Sequence, residues 1–431
     1  MSLDCGHDNT LPGGKVCSHL LEGEENTKTT ARYFTGHGKE YYLLCESCAR
    51  NIDQIELTPR TVCSACFATL DDEFDVVIVG KPEVLERTST RSFTHEHVQL
   101  QDVRERKILD IQPVNRVANS LWLALFDDGE LAQINLTDRL VTSLYHLQEA
   151  DLPMTECMSI AVSDDTQILA IAHKLGSKGI VVDVTTGQIT LRLDRGNYHP
   201  EQSPFPKAFF RVGDALCLVL GTSWNRLDVS NPRTGQLLTA RTPAPYQRAE
   251  ARREHYLDYF HSQLVISPDQ EWVAEYGWAW TPAGIVRSWS MKKWMEDNIW
   301  EPEDGDTVRY MAQRWSFWDG PICWIDNRTL AVWGYGSDGG YLIPAVQLWD
   351  VVTGNEIRWF AGPHGWALFF DQYLFSVSLD GMDVWDIQTG ERLLHEPGLT
   401  PIHYHHGAKQ FLSVMPDGWF RLSCLNGAET E

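Results

Sequence analysis

The chain has 431 residues, with 36 Lys and Arg against 59 Asp and Glu, a formal net charge of −23, and 43% hydrophobic residues. This composition is that of a globular protein and excludes a disordered or collagen-like chain. The negative charge opposes binding to nucleic acids and anionic lipid surfaces, because long-range electrostatic forces would repel both. The sequence has no apolar run of about 20 residues and no secretory signal, so we expect a cytoplasmic protein.

Cysteines and histidines cluster at the start of the chain. Six of the ten cysteines lie within the first 66 residues. They form short pairs that include two histidines: Cys5 with His7, Cys17 with His19, Cys45 with Cys48, and Cys63 with Cys66. In a cytoplasmic protein these spacings favour zinc coordination over disulfides. We therefore predict a zinc-binding module over residues 1–70, with one ion if only the Cys-x-x-Cys pairs bind and two if all eight residues do.

The role of this zinc is expected to be structural. A segment of about 70 residues buries little apolar surface, so metal binding would supply much of its folding free energy. A redox function of the Cys-x-x-Cys pairs is the less favoured hypothesis, because such a motif normally opens a helix inside a βαβ unit. The order Cys-x-His, Cys-Ser-His-Leu and Leu-Cys-x-x-Cys also resembles small zinc-binding modules of bacterial proteins. That resemblance covers residues 5–48 and implies that Cys63 and Cys66 extend the pattern.

The pattern changes over residues 71–431, where short apolar runs alternate with turn residues, as in all-β proteins. A short sequence whose last three residues are Thr, Gly and one variable residue recurs at 181–188, 227–236, 348–355 and 384–391; we call it the Thr-Gly phrase. Its glycine would supply the positive φ of a tight turn between two strands. A repeat of about 40–50 residues is typical of propeller blades.

This phrase contains the dipeptide Trp-Asp at 349–350 and at 385–386, which resembles the WD-repeat signature. Its Asp-x-x-Thr-Gly pattern is similar to the hairpin of quinoprotein-like propellers. The resemblance implies a β-propeller. Seven apolar runs would each mark one blade, and they begin at Leu121, Ile168, Leu216, Glu271, Leu330, Tyr373 and Gln410. We therefore predict a mainly β protein, a seven-bladed β-propeller preceded by a small zinc-binding domain.

The last run leaves no room for a fourth strand, so an N-terminal strand at 74–79 or 83–87 is expected to complete the last blade and close the ring. Two insertions depart from the repeat. The one near 244–260 predicts a helix, and the one near 290–313 predicts a short helix at 291–298. Trp294 and Trp300 lie among charged residues there, which suggests an exposed aromatic platform. The four single cysteines are expected in the core: Cys157, Cys217, Cys323 and Cys424.

No catalytic motif is present: the sequence has no Gly-x-Ser-x-Gly elbow, P-loop or His-Glu-x-x-His. His403, His405 and His406 form the most suggestive cluster, but without a nearby carboxylate they are better explained as a polar strand at the rim of the channel. We expect a non-catalytic scaffold, a monomer whose loops and zinc module bind a protein partner and not nucleic acid or membrane. The alternative is a propeller whose central pocket binds a small molecule or carbohydrate, or performs hydrolysis.

Overall fold

The computed structural model describes residues 12–22, 29–35, 40–45, 47–48, 60–63, 66, 75–79, 84–242, 254–280, 282–336 and 342–427. Strands predominate in these ranges, which confirms the predicted mainly β class. None of the helices in them is long and apolar enough to cross a membrane.

The N-terminal part forms a five-stranded sheet with the order β4-β1-β3-β2-β5. Strand β1 pairs with β3 and strand β2 with β5 in parallel, while the other two pairings are antiparallel. The elements are β1 (Pro12–Val16), α1 (Ser18–Glu22), β2 (Thr29–Thr35), β3 (Glu40–Cys45), β4 (Arg60–Cys63) and β5 (Asp75–Val79). Val16, Leu43 and Val62 are fully buried and form a small apolar cluster.

Seven antiparallel sheets, numbered 1 to 7 below, follow in the described part of 84–427. Sheet 1 contains β7 (Ile108–Pro113), β8 (Leu121–Phe126), β9 (Glu130–Asn135) and β10 (Leu140–His146). Sheet 2 contains β11 (Met158–Val162), β12 (Ile168–His173), β13 (Lys178–Asp183) and β14 (Gln188–Asp194). Sheet 3 has three strands, β15 (Lys207–Val212), β16 (Ala215–Ser223) and β17 (Arg226–Ser230). Sheet 4 contains β18 (Leu264–Ile266), β19 (Trp272–Ala279), β20 (Ala283–Ser290) and β21 (Arg309–Trp315).

The other three sheets have four strands each. Sheet 5 contains β22 (Ile322–Trp324), β23 (Thr329–Tyr335), β24 (Ile343–Asp350) and β25 (Asn355–Ala361). Sheet 6 contains β26 (Ala367–Phe370), β27 (Leu374–Val377), β28 (Gly381–Trp385) and β29 (Arg392–Pro397). Sheet 7 contains β30 (His403–His405), β31 (Gln410–Met415), β32 (Trp419–Asn426) and β6 (Ser92–Gln99). Short helices are α2 (Met291–Glu296), α3 (Glu301–Asp304) and the 3₁₀ turns Gln101–Val103, Pro200–Gln202 and Pro416–Gly418.

The second strand of each sheet includes most of one of the seven predicted apolar runs. These strands are apolar almost throughout because sheets cover both of their faces; β12, for example, is buried from Ile168 to Ala172. The recurring Thr-Gly phrase makes the predicted turn. Gly354 has φ +74°, and its N–H donates to the carbonyl of Asp350 at 2.7 Å. In sheet 3 the phrase is followed by an isolated bridge between Ser230 and Leu237, and the described residues after it add no fourth strand to this sheet.

Apolar clusters connect these sheets in a cyclic order. Each cluster joins two successive sheets, and a seventh joins sheet 7 to sheet 1. Members from successive sheets, starting with sheets 1 and 2, are Leu125 and Ile171, Ala170 and Leu218, Val219 and Trp289, Tyr276 and Val332, Val346 and Trp385, Val384 and Phe411, and Phe420 and Trp122. First strands of neighbouring sheets also contact one another, as β7 does with β11 and β30, and β15 with β11 and β18.

Strand β6 completes sheet 7 by pairing antiparallel with β32, from Ser92 opposite Asn426 to Gln99 opposite Trp419. The two segments predicted for this role were wrong. Segment 75–79 pairs with β2 in the N-terminal sheet, and Glu86 only bridges to Arg392 of sheet 6. The sequence of β6 is inconspicuous because, as an outer strand, it buries few side chains.

The predicted helix at 291–298 is confirmed as α2, which ends two residues earlier. The side chain of Ser290 caps it by accepting the N–H of Lys293 at 3.2 Å. Most of the insertion near 244–260 lies outside the described residues, and its described end, 254–260, is not helical. Among the single cysteines Cys217 is buried as expected, whereas Cys157 is exposed just before β11.

The pairing of β6 with β32 can be tested with a native thiol. Thr94 lies directly opposite Cys424. We expect Thr94→Cys to form a disulfide with Cys424 under mild oxidation, because opposed residues of an antiparallel pair lie within disulfide range. Peptide mapping by mass spectrometry would detect the link. His97→Cys, three residues along the same strand, should not link to Cys424; a link at 97 and none at 94 would contradict this register.

Candidate functional site

Four N-terminal side chains form a group that could hold a metal ion. They are Cys17, His19, Cys45 and Cys48, and their ligand atoms all lie within 4.8 Å of one another. Cys17 directly follows β1, and Cys45 ends β3. Because β1 and β3 are parallel, both strands end at the same edge of the sheet. The change from strand to helix at residue 18 bends the chain and brings His19 close to the thiols, which an extended Cys-x-His would not do.

The distances within this group suit a tetrahedral ion. His19 Nδ1 lies 3.2 Å from Cys48 Sγ and 3.7 Å from Cys45 Sγ. Metal–ligand bonds of about 2.0–2.3 Å place two ligands of a tetrahedral zinc roughly 3.3–3.8 Å apart. The backbone N–H of Cys45 donates to Cys17 Sγ at 3.2 Å, and such a hydrogen bond stabilises a thiolate. All three cysteines are buried.

Two of the three thiols, those of Cys17 and Cys48, do not easily ionise by themselves. Burial raises the pKa of Cys17, and burial together with the neighbouring Cys45 thiol raises the pKa of Cys48 to about 12. A bound cation would reverse this balance, because metal ligation replaces the thiol protons and offsets the repulsion between thiolates. The cluster therefore has the chemistry of a metal site.

Among the other predicted metal ligands, the structure describes the side chain of Cys66. Cys5 and His7 lie outside the described residues, and so does the side chain of Cys63, whose backbone belongs to β4. Cys66 is half-buried and packs against the apolar cluster of Val16. Within the described ranges, the structure thus combines one Cys-x-His pair with the first Cys-x-x-Cys pair.

The histidines of β30 serve the packing of sheet 7. His405 is buried, with Nε2 3.1 Å from the carbonyl of Leu121 and Nδ1 accepting the N–H of Ala408 at 3.1 Å. Its ring packs edge-on against Trp122 of sheet 1. In the part of the chain that the structure describes, the histidines of β30 belong to no metal-binding group.

A cluster of aromatic rings lies at one end of sheets 2 to 4. This aromatic cluster consists of Tyr198, Trp224, Phe260, Trp278 and Trp280, with ring centroids 4.6–6.1 Å apart. Some of the rings belong to the connections between successive sheets, and the others to the hairpins between the second and third strands of a sheet. Because the strands of each sheet alternate in direction, these connections and hairpins lie at the same end of the sheets. Tyr198 is 46% exposed and Trp280 44% exposed. The cluster thus has a buried base and two accessible rings.

The aromatic platform predicted at Trp294 and Trp300 was wrong. Trp294 is fully buried, and its indole N–H donates to the carbonyl of Ile299 at 3.2 Å. Trp300 is half-buried between the ring of His255, stacked at 4.4 Å, and the guanidinium of Arg241. The charged residues nearby in sequence do not keep these rings in solvent, because α2 and α3 pack against sheet 4.

A buried ionic group fixes the segment that carries Phe260. His261 Nδ1 lies 2.9 Å from the carboxylate of Glu275, which also accepts the N–H of Ser262 and has Arg287 at 3.6 Å. The side chains of His261, Glu275 and Arg287 are all almost fully buried. Removing one member of such a group leaves its partners unpaired in a medium of low dielectric constant, so the group strongly constrains this segment.

Asp319 adjoins this segment, next to Trp318, whose ring packs against Trp278. Its carboxylate accepts the hydroxyl of Ser262. Burial raises the pKa of Asp319 to about 6, although the nearby positive charges of Lys174 and Arg195 oppose the rise. Asp319 therefore titrates within the range of ordinary buffers.

No family model matches the chain, and no curated protein matches it either. Its function must therefore be inferred from the Cys/His group, the aromatic cluster and the arrangement of the sheets.

The titration of Asp319 predicts a pH dependence of stability. Its pKa in the folded chain exceeds the ordinary value of 3.8, so its stabilising contribution is complete below about pH 4 and is lost as the pH rises through about 6. We expect wild type, relative to Asp319→Asn, to lose on the order of 1 kcal/mol of unfolding free energy between pH 4 and 8, because residue 319 is exposed and solvent screens its charge. Urea denaturation would measure it. Asp138→Asn, at an exposed site, should keep the wild-type profile; an unchanged profile in Asp319→Asn would refute the assignment.

Proposed function

We propose that the protein is a seven-bladed β-propeller with a structural zinc module, and that it acts as a non-catalytic scaffold for protein–protein interaction. The cyclic order of the apolar clusters supports the propeller, because it gives each sheet a neighbour on both faces. The pairing of β6 with β32 supports ring closure between the two ends of the repeat. In this fold the first strands line the axis, and their mutual contacts agree with that position.

Zinc is the metal that best suits the Cys/His group. Three thiols and one imidazole form a tetrahedral ligand set typical of structural zinc. Such a set leaves no open coordination position for a substrate or a water, which argues against catalysis at the ion. The N-terminal sheet buries only a small apolar cluster in its described part, so the metal would supply folding free energy that the core does not.

The aromatic cluster is the observation that carries the interaction function. Tyr and Trp are enriched at the centres of protein interfaces, where they combine a large apolar area with one polar group. Tyr198 and Trp280 are exposed, while the rings beneath them are held by packing and by the Glu275 group. A rigid exposed pair of this kind loses little conformational entropy on binding.

Charge indicates the kind of partner. A net charge of −23 raises the rate of encounter with basic proteins and opposes encounter with nucleic acids and anionic membranes. We therefore propose a cytoplasmic, monomeric protein whose partner presents a basic segment to the aromatic cluster. Carbohydrate binding is a second candidate function, because the faces of exposed Trp and Tyr rings can stack on sugars.

Metal content gives the first test. Native mass spectrometry of the intact chain is expected to show zinc that is lost on denaturation, and Cys48→Ser should lose one ion because three ligands hold zinc far less tightly. Cys157→Ser, at an exposed cysteine outside the group, should keep the wild-type content. A wild-type count of one would indicate the group of Cys17, His19, Cys45 and Cys48 alone, a count of two would indicate a second site among the other predicted ligands, and a count of zero would contradict the zinc module.

The aromatic cluster gives the second test. We expect a protein that co-purifies with the full-length wild-type chain to be lost with the double variant Tyr198→Ala and Trp280→Ala, because the two exposed anchors are removed. Trp419→Ala, 38% exposed in sheet 7, is the matched control and should retain the partner. Quantitative mass spectrometry of the eluates measures the difference. Equal recovery with all three chains would contradict this surface, and binding of a sugar panel with no protein partner would favour the second candidate.

A further inference from the structure

Polar side chains occupy the first strands of several sheets, where the proposed propeller has its axis. Asp110 lies in β7, Ser159 in β11, Lys207 in β15 and His403 in β30. All four are half-buried. Contacts of β7 with β11 and β30, and of β11 with β15, bring these strands together. Lys207 and Ser159 contact each other directly, and Asp110 binds the backbone of Ile160, next to Ser159 in β11.

Lys207 is the unusual member of this group. Its ammonium donates to the hydroxyl of Ser159 at 2.5 Å, and it forms no ion pair with any residue that the structure describes. Burial lowers the pKa of Lys207 to about 8, although Asp110 opposes the fall. A lysine has three N–H donors, and only one is used here. An unpaired ammonium inside a protein is costly unless something compensates its charge.

Asp110 does not supply that compensation directly. Its carboxylate already accepts the backbone N–H groups of Ile160 at 2.7 Å and Ile111 at 2.9 Å, and the amide of Gln112 at 3.2 Å. These bonds attach β7 to β11 and fix the carboxylate in place. Asp110 therefore positions the strands and leaves the N–H donors of Lys207 unmatched.

Two further cations surround Lys207. The charges of Arg195 and Lys174 both disfavour its ammonium form, so both lie near it. The guanidinium of Arg195 is occupied by four backbone carbonyls, those of Gly176, Pro200, Ser203 and Pro204. Lys174 is exposed at the β12–β13 turn and, among the described residues, has no ion-pair partner. The carboxylates of Asp110 and Asp319 also lie near these cations, so three positive charges meet two negative ones here.

We propose that Lys207 and Ser159, with Lys174 beside them, form a binding site for a phosphate group in the axial channel. A phosphate accepts several hydrogen bonds at once and prefers lysine as a point charge beside a hydroxyl donor. Bound there, it would accept the remaining N–H groups of Lys207, and the hydroxyl of Ser159 would turn to it from the carbonyl of Ala172, to which it now donates at 3.4 Å. This site rests on the proposed propeller but not on its scaffold function, which needs no ligand in the channel.

Titration calorimetry of the full-length protein with inorganic phosphate, at constant ionic strength, tests the site. We expect saturable binding to wild type, weakened about tenfold or more in Lys207→Met, because a charge-assisted hydrogen bond is lost. Lys207→Arg should restore part of it. Lys178→Met is the matched control: that lysine is exposed and paired with Asp194, and its loss should change nothing. Tighter binding of glycerol phosphate than of phosphate would identify a phosphate ester as the ligand, and equal affinity would identify the free ion.

A second measurement on wild type covers the case in which Lys207→Met does not fold. Acetylation of lysines by acetic anhydride, mapped by mass spectrometry, should be slowed by phosphate at Lys207 and not at Lys178. Absence of saturable phosphate binding to wild type, equal binding by folded Lys207→Met, or equal acetylation of Lys207 with and without phosphate would each overturn the proposal. Loss of the protein partner in the aromatic variant has no bearing on these outcomes, so the two proposals fail separately.

Discussion

Eight opposed residue pairs join β6 to β32, and they connect segments that are more than 300 residues apart, since Thr94 and Asn426 are separated by 332 positions. The ladder satisfies the backbone edge of β32 and places Val98 in the apolar cluster between sheets 7 and 1 and Phe93 in the one between sheets 6 and 7. Every sheet then has a covered face on each side. The meeting of the first strands near Lys207 follows from this cyclic arrangement. The aromatic cluster projects from one common end because the strands within each sheet are antiparallel.

Two different sources of stability operate in the chain. The seven sheets are held by apolar clusters that each span two sheets, with buried ionic groups such as Glu275 and Arg287 inserted where a segment must be fixed. In the N-terminal sheet the described apolar cluster consists of Val16, Leu43 and Val62, and a metal at the Cys/His group would add to its stability. Loss of metal should therefore affect the N-terminal sheet far more than the seven sheets.

Local chemistry made parts of this structure predictable from the sequence. The seven second strands could be found because burial on both faces requires continuous apolar residues, and the turn at Gly354 because few residues accept its φ. The types of the metal ligands were also visible, but the grouping of Cys17 with Cys45 depends on the parallel pairing of β1 with β3, which no local pattern encodes. Strand β6 was missed for a related reason: its polar alternation is that of an exposed surface, and only β32 makes it a strand of sheet 7. The aromatic cluster and the burial of Trp294 likewise depend on contacts between distant segments.

Hydrogen exchange of the native full-length chain tests the proposed closure of the ring most directly. If β6 completes sheet 7, amides of 92–99 should be protected as strongly as those of 419–426 and should exchange with them in one cooperative opening, because the two strands share one ladder. Exchange of 92–99 at the rate of a freely mobile segment, while 419–426 stays protected, would show that the ring is open and would contradict this account of the fold.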